Sequence, residues 1–399
     1  MINVSTPALW LIVLIVGLPQ LSETVYTPSL PAIAETLKVK DEWVEYTLTI
    51  YLLSFGLGTL FWGILSDKKG RKPCMLTGFL FYILGSLGCY FSDSYFLLML
   101  SRFIQGFGGS VGSILGQAVC RDCFHGPSLG KAYSFIGCSL AFFPALGPLV
   151  GGFITQQWGW PIIFLFLIIF GGSVSIVTFF KLPETLNQSN KKLLKLLPLF
   201  LQLSKDSKVL GHGLLVAGCC GISFSYYAEG PFYFIEFLGL SPSEYGQTFL
   251  LIAIISVIGS LISKKLQDHY KPEKIVKYGI ILIITVSFIW VALTLCLTFI
   301  KFSPNLIIAI SLACIAGIMA GIAIVTPNTL ALALKDYKHS IGSASSLFGF
   351  YYYTLISLFT FGMGVAHNGT LLPMPLYFLM ISGIMLIAFR FILLKRSTN

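Results

Sequence analysis

The chain contains a dozen apolar stretches, each long enough to cross a hydrocarbon core ~30 Å thick. They fall near 8–28, 44–66, 73–91, 95–119, 131–156 and 160–180, then near 209–235, 244–262, 276–299, 304–326, 343–366 and 373–394. In lipid the backbone N–H and C=O groups find no water, so stretches of this length fold as helices. Of 399 residues, 56% are hydrophobic and only 11% are charged, which leaves no material for a separate soluble domain. The first stretch lacks a basic flank and eleven similar stretches follow it, so it reads as a spanning helix rather than a cleaved signal. The expectation is an all-α polytopic membrane protein with 12 transmembrane helices. The longest loop splits it into a six-helix bundle over 1–181, a linker over 182–208 and a second six-helix bundle over 209–399.

Orientation follows from the basic residues, which concentrate in cytoplasmic loops. With both termini inside, the inner loops and tail hold 22 of the 26 Lys and Arg, while Lys38, Lys40 and Lys301 lie outside and Arg102 lies within a span. The net charge of +10 therefore reports topology rather than a nucleic-acid partner. The linker run Lys191-Lys192-Leu193-Leu194-Lys195-Leu196-Leu197-Pro198 mixes basic and leucine residues, as suits a segment lying in an anionic membrane surface. Nine cysteines show neither metal nor disulfide spacing, and pairs such as Cys219-Cys220 read as small core residues. No cofactor, metal or nucleotide site is expected, which leaves an ion gradient as the energy source.

Charge between two spans is concentrated in Gly63-Ile64-Leu65-Ser66-Asp67-Lys68-Lys69-Gly70-Arg71-Lys72. A weaker echo, Gly259-x-Leu261-x-x-Lys264-Lys265, follows the eighth span with Ser263 at the place of Asp67. The echo and the prolines Pro28 and Pro231 in the opening helix of each half suggest parallel six-helix repeats, which place a binding site at the midplane. In the fifth span, Pro144-Ala145-Leu146-Gly147-Pro148-Leu149-Val150-Gly151-Gly152 carries a density of Gly and Pro that an isolated helix tolerates poorly, at about 1 and 3 kcal/mol per residue. Neighbouring helices can re-satisfy the freed backbone groups, so the stretch reads as a tightly packed bend.

These two motifs resemble motif A and motif C of the major facilitator superfamily, motif C being the antiporter signature. Tyr26-Thr27-Pro28-Ser29-Leu30-Pro31-Ala32-Ile33, Trp158-Gly159-Trp160-Pro161-Ile162-Ile163-Phe164, Leu182-Pro183-Glu184-Thr185-Leu186 and Gly342-Ser343-Ala344-Ser345-Ser346 are similar to stretches of its Bcr/CflA drug-resistance branch. The likeness spans nearly the whole chain. It implies that Gly63, Asp67, Gly70, Arg71 and Lys72 form a conformational gate. There Asp67 would meet the positive N-terminus of the eleventh span. It also implies that Gly147, Pro148, Gly151 and Gly152 serve antiport. Three departures stand out: Pro161 replaces an arginine, the first-helix acid sits one residue early, and Glu229 replaces a small neutral residue.

Ionisable residues inside a membrane are functional candidates. Arg102 lies in the fourth span, where it resembles the motif B arginine linked to proton coupling, and Glu23 lies in the first. Counting 1.5 Å per residue puts both at the same depth, so an ion pair is expected, with Glu23 as the proton acceptor. An Arg102 bonded to backbone carbonyls, and a Glu23 in the headgroup layer, are the structural alternatives. Glu229 is either a substrate or proton site or an acid at the outer surface, and Glu236 is placed outside the core. Tyr26, Phe224, Tyr226, Tyr227, Phe232, Tyr351 and Tyr352 could line a cavity for amphipathic or cationic organic molecules, although many aromatics in lipid serve packing. The expectation is a monomeric, proton-coupled exporter of drugs or small organic molecules in the bacterial inner membrane. A dedicated exporter of one metabolite, an uptake carrier and a polytopic membrane enzyme are the alternatives; for the last, the outer loops are short and only His367 clearly lies in one.

Overall fold

The computed structural model describes residues 6–186, 196–299, 303–337 and 341–390. The lysines of the central linker, Lys191, Lys192 and Lys195, lie outside the described residues. The chain is helical from α1 (Leu9–Thr24) and α2 (Leu30–Leu37) through α3 (Asp41–Lys69), α4 (Arg71–Tyr90), α5 (Tyr95–Cys123), α6 (Pro127–Trp158) and α7 (Pro161–Lys181). A short α8 (Leu196–Lys205) leads to α9 (Ser207–Pro231), α10 (Pro242–Gln267), α11 (Pro272–Phe299), α12 (Pro304–Ala333), α13 (Ile341–Ala366) and α14 (Pro373–Ala388).

Proline opens α6, α7 and α10, where its missing N–H removes no bond. Ser241 and Glu244 close a capping box at α10, and Gly70 ends α3 at φ 107°, a conformation that leaves glycine the fitting residue. Ten helices among the described residues are long and apolar enough to cross a membrane. The 29-residue α5 carries Arg102, Gln105 and a run of glycines, and the 16-residue α14 is shorter than the ten. Large apolar side chains such as Phe96, Phe180, Ile176 and Val365 point outward, as lipid-facing surfaces do.

Two hydrophobic cores organise the helices. One is built mainly from α1 to α7 and the other from α9 to α14. Ala217, Phe224, Ala228 and Phe232 of the second half join the first core, as do Tyr353 and Ile356. Leu199 and Leu203 tuck α8 against Val209, Val216 and Phe348.

The opening helix of each half is interrupted. The first passes from α1 through a 3₁₀ turn (Thr27–Ser29) into α2, and the second passes from α9 into a π-turn (Phe232–Phe237). Both interruptions fall at the prolines picked out from sequence, Pro28 and Pro231. Proline and the departures from α geometry account for them together.

Candidate functional site

The break after α1 begins just past Glu23 and contains Tyr26. Motif C holds that break. A side chain at Gly147 would strike Thr24, and one at Gly151 would strike the Val25 carbonyl. Gly152 meets the backbone of Pro242, and Gly246 of α10 meets that of Pro148. The glycines therefore let α6 touch the backbone of the first helix on one side and the start of α10 on the other.

Arg102 is completely buried. Its guanidinium carbon lies 3.9 Å from the Tyr26 ring centroid and 4.2 Å from that of Tyr51, so the cation is held between two aromatic faces. When desolvated, each such contact contributes up to about 2 kcal/mol. Arg102 Nη1 donates to Gln105 Oε1 at 2.5 Å, and Gln105 Nε2 donates to Ser86 Oγ at 2.8 Å. Nε and Nη2 have no hydrogen-bond partner.

The expected Glu23–Arg102 ion pair is not made. The salt bridges within 4.0 Å among the described residues do not include it; Arg102 spends its contacts on rings and an amide, and Glu23 Oε1 is buried without a partner. The two remain within electrostatic range. Glu23 is 1% exposed, so its side chain is enclosed by protein, and its field reaches Tyr51 on α3, Tyr227 on α9 and Tyr352 and Tyr353 on α13. The carboxyl thus sits where the two halves meet. Tyr226, also offered as a cavity residue, is instead packed inside the second core against Tyr245 and Phe249.

At the Asp67 end, the charges form a relay within the first half. Arg71 donates to Asp67 at 2.6 Å through Nη1 and to Asp122 at 2.9 Å through Nε, and Nη1 also reaches Ser66 Oγ. Glu184 caps α4 by accepting from the N–H groups of Arg71 at 2.9 Å and Lys72 at 3.2 Å. Among the described residues no hydrogen bond or ion pair joins Asp67 to α13, and Arg71 takes its carboxylate; residues 338–340, ahead of α13, lie outside the described residues. Close approach to α13 falls to Gly63, against Ser346. The echo in the second half has the same layout without charge. Ser263 and Gln267 stand where Asp67 and Arg71 stand, and both bond Asn328 of α12, at 2.8 and 2.9 Å.

The opposite end holds a cluster that the sequence did not disclose. His367, just past α13, faces Glu229 of α9 through Nδ1 at 2.9 Å, Glu45 of α3 through Nδ1 at 3.6 Å and Asp41 through Nε2 at 3.7 Å. Burial opposes charge on the ring, but the carboxylates of Asp41 and Glu229 outweigh it and push the imidazole up to about 10. Glu229 is therefore committed to this clasp rather than to a cavity beside Glu23. Glu236 is exposed beside it, as expected. The signal that could have revealed Glu45 is its register. It sits on the stripe of Leu48, Leu52 and Phe55, all of them buried.

Two bundle-like cores, interrupted opening helices and a buried carboxyl between the halves are the layout of an alternating-access carrier. A sequence profile of the Major Facilitator Superfamily matches residues 12–361. The chain belongs to the Major Facilitator Superfamily. An uncharacterized transporter of Rickettsia bellii (strain RML369-C) is 31% identical over 389 residues, which cover 96% of each protein. A bicyclomycin resistance protein homolog of Haemophilus influenzae is 29% identical over 335 residues, covering 83% of this chain and 82% of that protein. In fold, the chain resembles a bacterial homolog of the human lysosomal transporter Spinster, solved inward-facing and occupied. The TM-score is 0.72 at 15% identity, over 98% of this chain and 96% of the other. As a superfamily member the chain is a multi-pass membrane transporter of small molecules, not an enzyme.

Proposed function

We propose that the protein is a proton-driven exporter of drugs or small amphipathic organic molecules in a bacterial inner membrane, with Glu23 as the group that carries the proton. The observation that carries this reading is Glu23 itself, a buried carboxyl with an unbonded oxygen beside the break in the first helix. Tyrosines of both halves surround it. A carboxylate held there without a partner is costly, so it takes up either a proton or a cationic part of a substrate. Arg102, fixed between Tyr26 and Tyr51, adds a constant positive field that keeps the ionised form within reach. Access from one side delivers the substrate to ionised Glu23, and access from the other delivers the proton that displaces it. Tyr227, Tyr352 and Tyr353 contribute aromatic walls suited to flat or cationic molecules. Names of relatives such as the bicyclomycin resistance protein homolog favour export of foreign compounds.

In this reading α5 and α14 join the ten other helices to make twelve spans. Both termini face the cytoplasm, the bundles cover 1–181 and 209–399, and the carrier works as a monomer. The Asp67 end is cytoplasmic because the basic loops gather there. Asp67, Arg71 and Lys72 stiffen the gate on that side, and Gly147, Pro148, Gly151 and Gly152 hold the first helix in register while the bundles rock.

The test is proton release from the purified carrier in detergent on adding cationic dyes, neutral antibiotics or chelating metabolites. Release by wild type that vanishes in Glu23→Gln supports the assignment. Equal release from both proteins, or ligand binding with no release from either, would overturn it.

A further inference from the structure

We propose that Glu45, Glu229 and His367 form a divalent-cation site of the zinc class that bridges the two halves, with Asp41 orienting the imidazole. One oxygen of each glutamate and one ring nitrogen of His367 all lie within 4.8 Å of one another. Glu45 is 0% exposed and Glu229 is 2% exposed. Both oxygens of Glu45 are buried without a hydrogen bond, although the side chain is aimed at His367 Nδ1 from 3.6 Å. An imidazole has two nitrogens for three facing carboxylates, so Glu45 is the one left over, and a cation among the three side chains would complete its coordination.

The ring is also oriented as a metal ligand is. Its Nδ1 faces the two glutamates while Nε2 faces Asp41 Oδ2 at 3.7 Å. Histidines that bind metals almost always give their second N–H to a carboxylate, a backbone carbonyl or water, and Asp41, a few tenths of an ångström beyond hydrogen-bond distance, is placed to be that partner. With bonds of about 2.0–2.2 Å, ligand atoms in a tetrahedral site lie about 3.3 Å apart, so the widest separation would have to close by about 1.5 Å. Side-chain rotation can supply that. A cavity of about 220 Å³ lined by Asp41, Glu229, Phe232, Glu236, His367 and Thr370 adjoins the cluster and leaves room for a water as fourth ligand. Imidazole among carboxylates favours zinc-like ions over magnesium or calcium, which prefer all-oxygen sites. Binding would displace the proton from Nδ1.

Glu45 comes from α3, whereas Glu229 and His367 belong to α9 and the turn after α13. A bound ion would therefore tie the two halves together at the end opposite Asp67 and hold that side shut. This inference stands apart from the assignment of Glu23, because no ligand is shared.

The experiment is calorimetric titration of the intact, detergent-purified carrier with zinc chloride, accompanied by thermal unfolding with and without the ion. We expect one zinc per chain and a raised unfolding midpoint. Glu45→Gln and His367→Gln should abolish both effects, and Asp41→Asn should weaken binding about 10- to 100-fold. Unfolding in the absence of zinc shows whether each variant is folded. His125→Gln/His269→Gln, which removes two exposed imidazoles, should bind as wild type does. No binding by wild type, binding unchanged in folded Glu45→Gln, loss in the surface-histidine variant, or equal binding of magnesium would each overturn the proposal.

Discussion

Gly151→Ala and Gly137→Ala place the same methyl group on the same helix, α6, with opposite expected outcomes. At Gly151 the new carbon would fall on the Val25 carbonyl group, 2.7 Å from its carbon and 3.3 Å from the Val25 Cα. These are backbone atoms at the break in the first helix, so no side-chain rotation relieves the clash. Carbon contacts settle near 3.5–4.0 Å, which means that α6 and the first helix must part by about 1 Å. Overpacking of this kind costs about 1–3 kcal/mol, and the gain from replacing glycine in a helix returns only about 1 kcal/mol. Gly137 has nothing within 4 Å of the added carbon, so its variant should gain about 0.5–1 kcal/mol. Because the glycine gain is common to both, the two variants should differ by the overpacking cost, about 1–3 kcal/mol. Side-by-side unfolding in detergent reads that difference. Substrate export from proteoliposomes reads its consequence, because the displaced segment carries Glu23 and Tyr26. Gly137→Ala should transport normally, and Gly151→Ala should be both less stable and at least about tenfold slower, as expected for a misplaced reactive group. If Gly151→Ala matches Gly137→Ala in both assays, motif C does not hold the first helix in the way described.

Two more substitutions probe other parts of the framework. Glu184→Ala removes the carboxylate that caps α4 and should cost about 1 kcal/mol, seen as a lower unfolding midpoint with ligand binding intact. Arg102→Lys keeps the charge but loses the planar group held between Tyr26 and Tyr51. It should destabilise by about 1–2 kcal/mol and, because the positive field remains, leave substrate-induced proton release in place, with unfolding and pH-electrode measurements as the checks.

Ten of the apolar stretches and the motifs were legible because membrane length and glycine–proline density are local properties of the chain. The nearness of Glu23 and Arg102 was legible too, since counting rise per residue brings them to one level and the two lie within electrostatic range. Their contact was not, because the same depth is shared by Tyr26, Tyr51 and Gln105, and an arginine in an apolar interior can be satisfied by rings and amides as well as by a carboxylate. Arg71, one helical turn on from Asp67, likewise competes for its oxygens. Glu45 looks in sequence like one more acid near the polar start of a helix, one turn on from Asp41 and Glu42. Only assembly brings it to Glu229, 184 positions away, and to a histidine in a short connection.

The paired triads at the Asp67 end carry one more implication. Asp67, Arg71 and Asp122 do by charge what Ser263, Gln267 and Asn328 do with a hydroxyl and two amides. Dissolved ions weaken the first kind of bond, most of all where Asp67 is about half exposed, and leave the second almost untouched. Ionic strength is therefore a handle on one repeat only. The chain thus carries an electrolyte-sensitive joint at the end of α3 and an electrolyte-blind joint at the end of α10, so a change of salt acts on the one and spares the other.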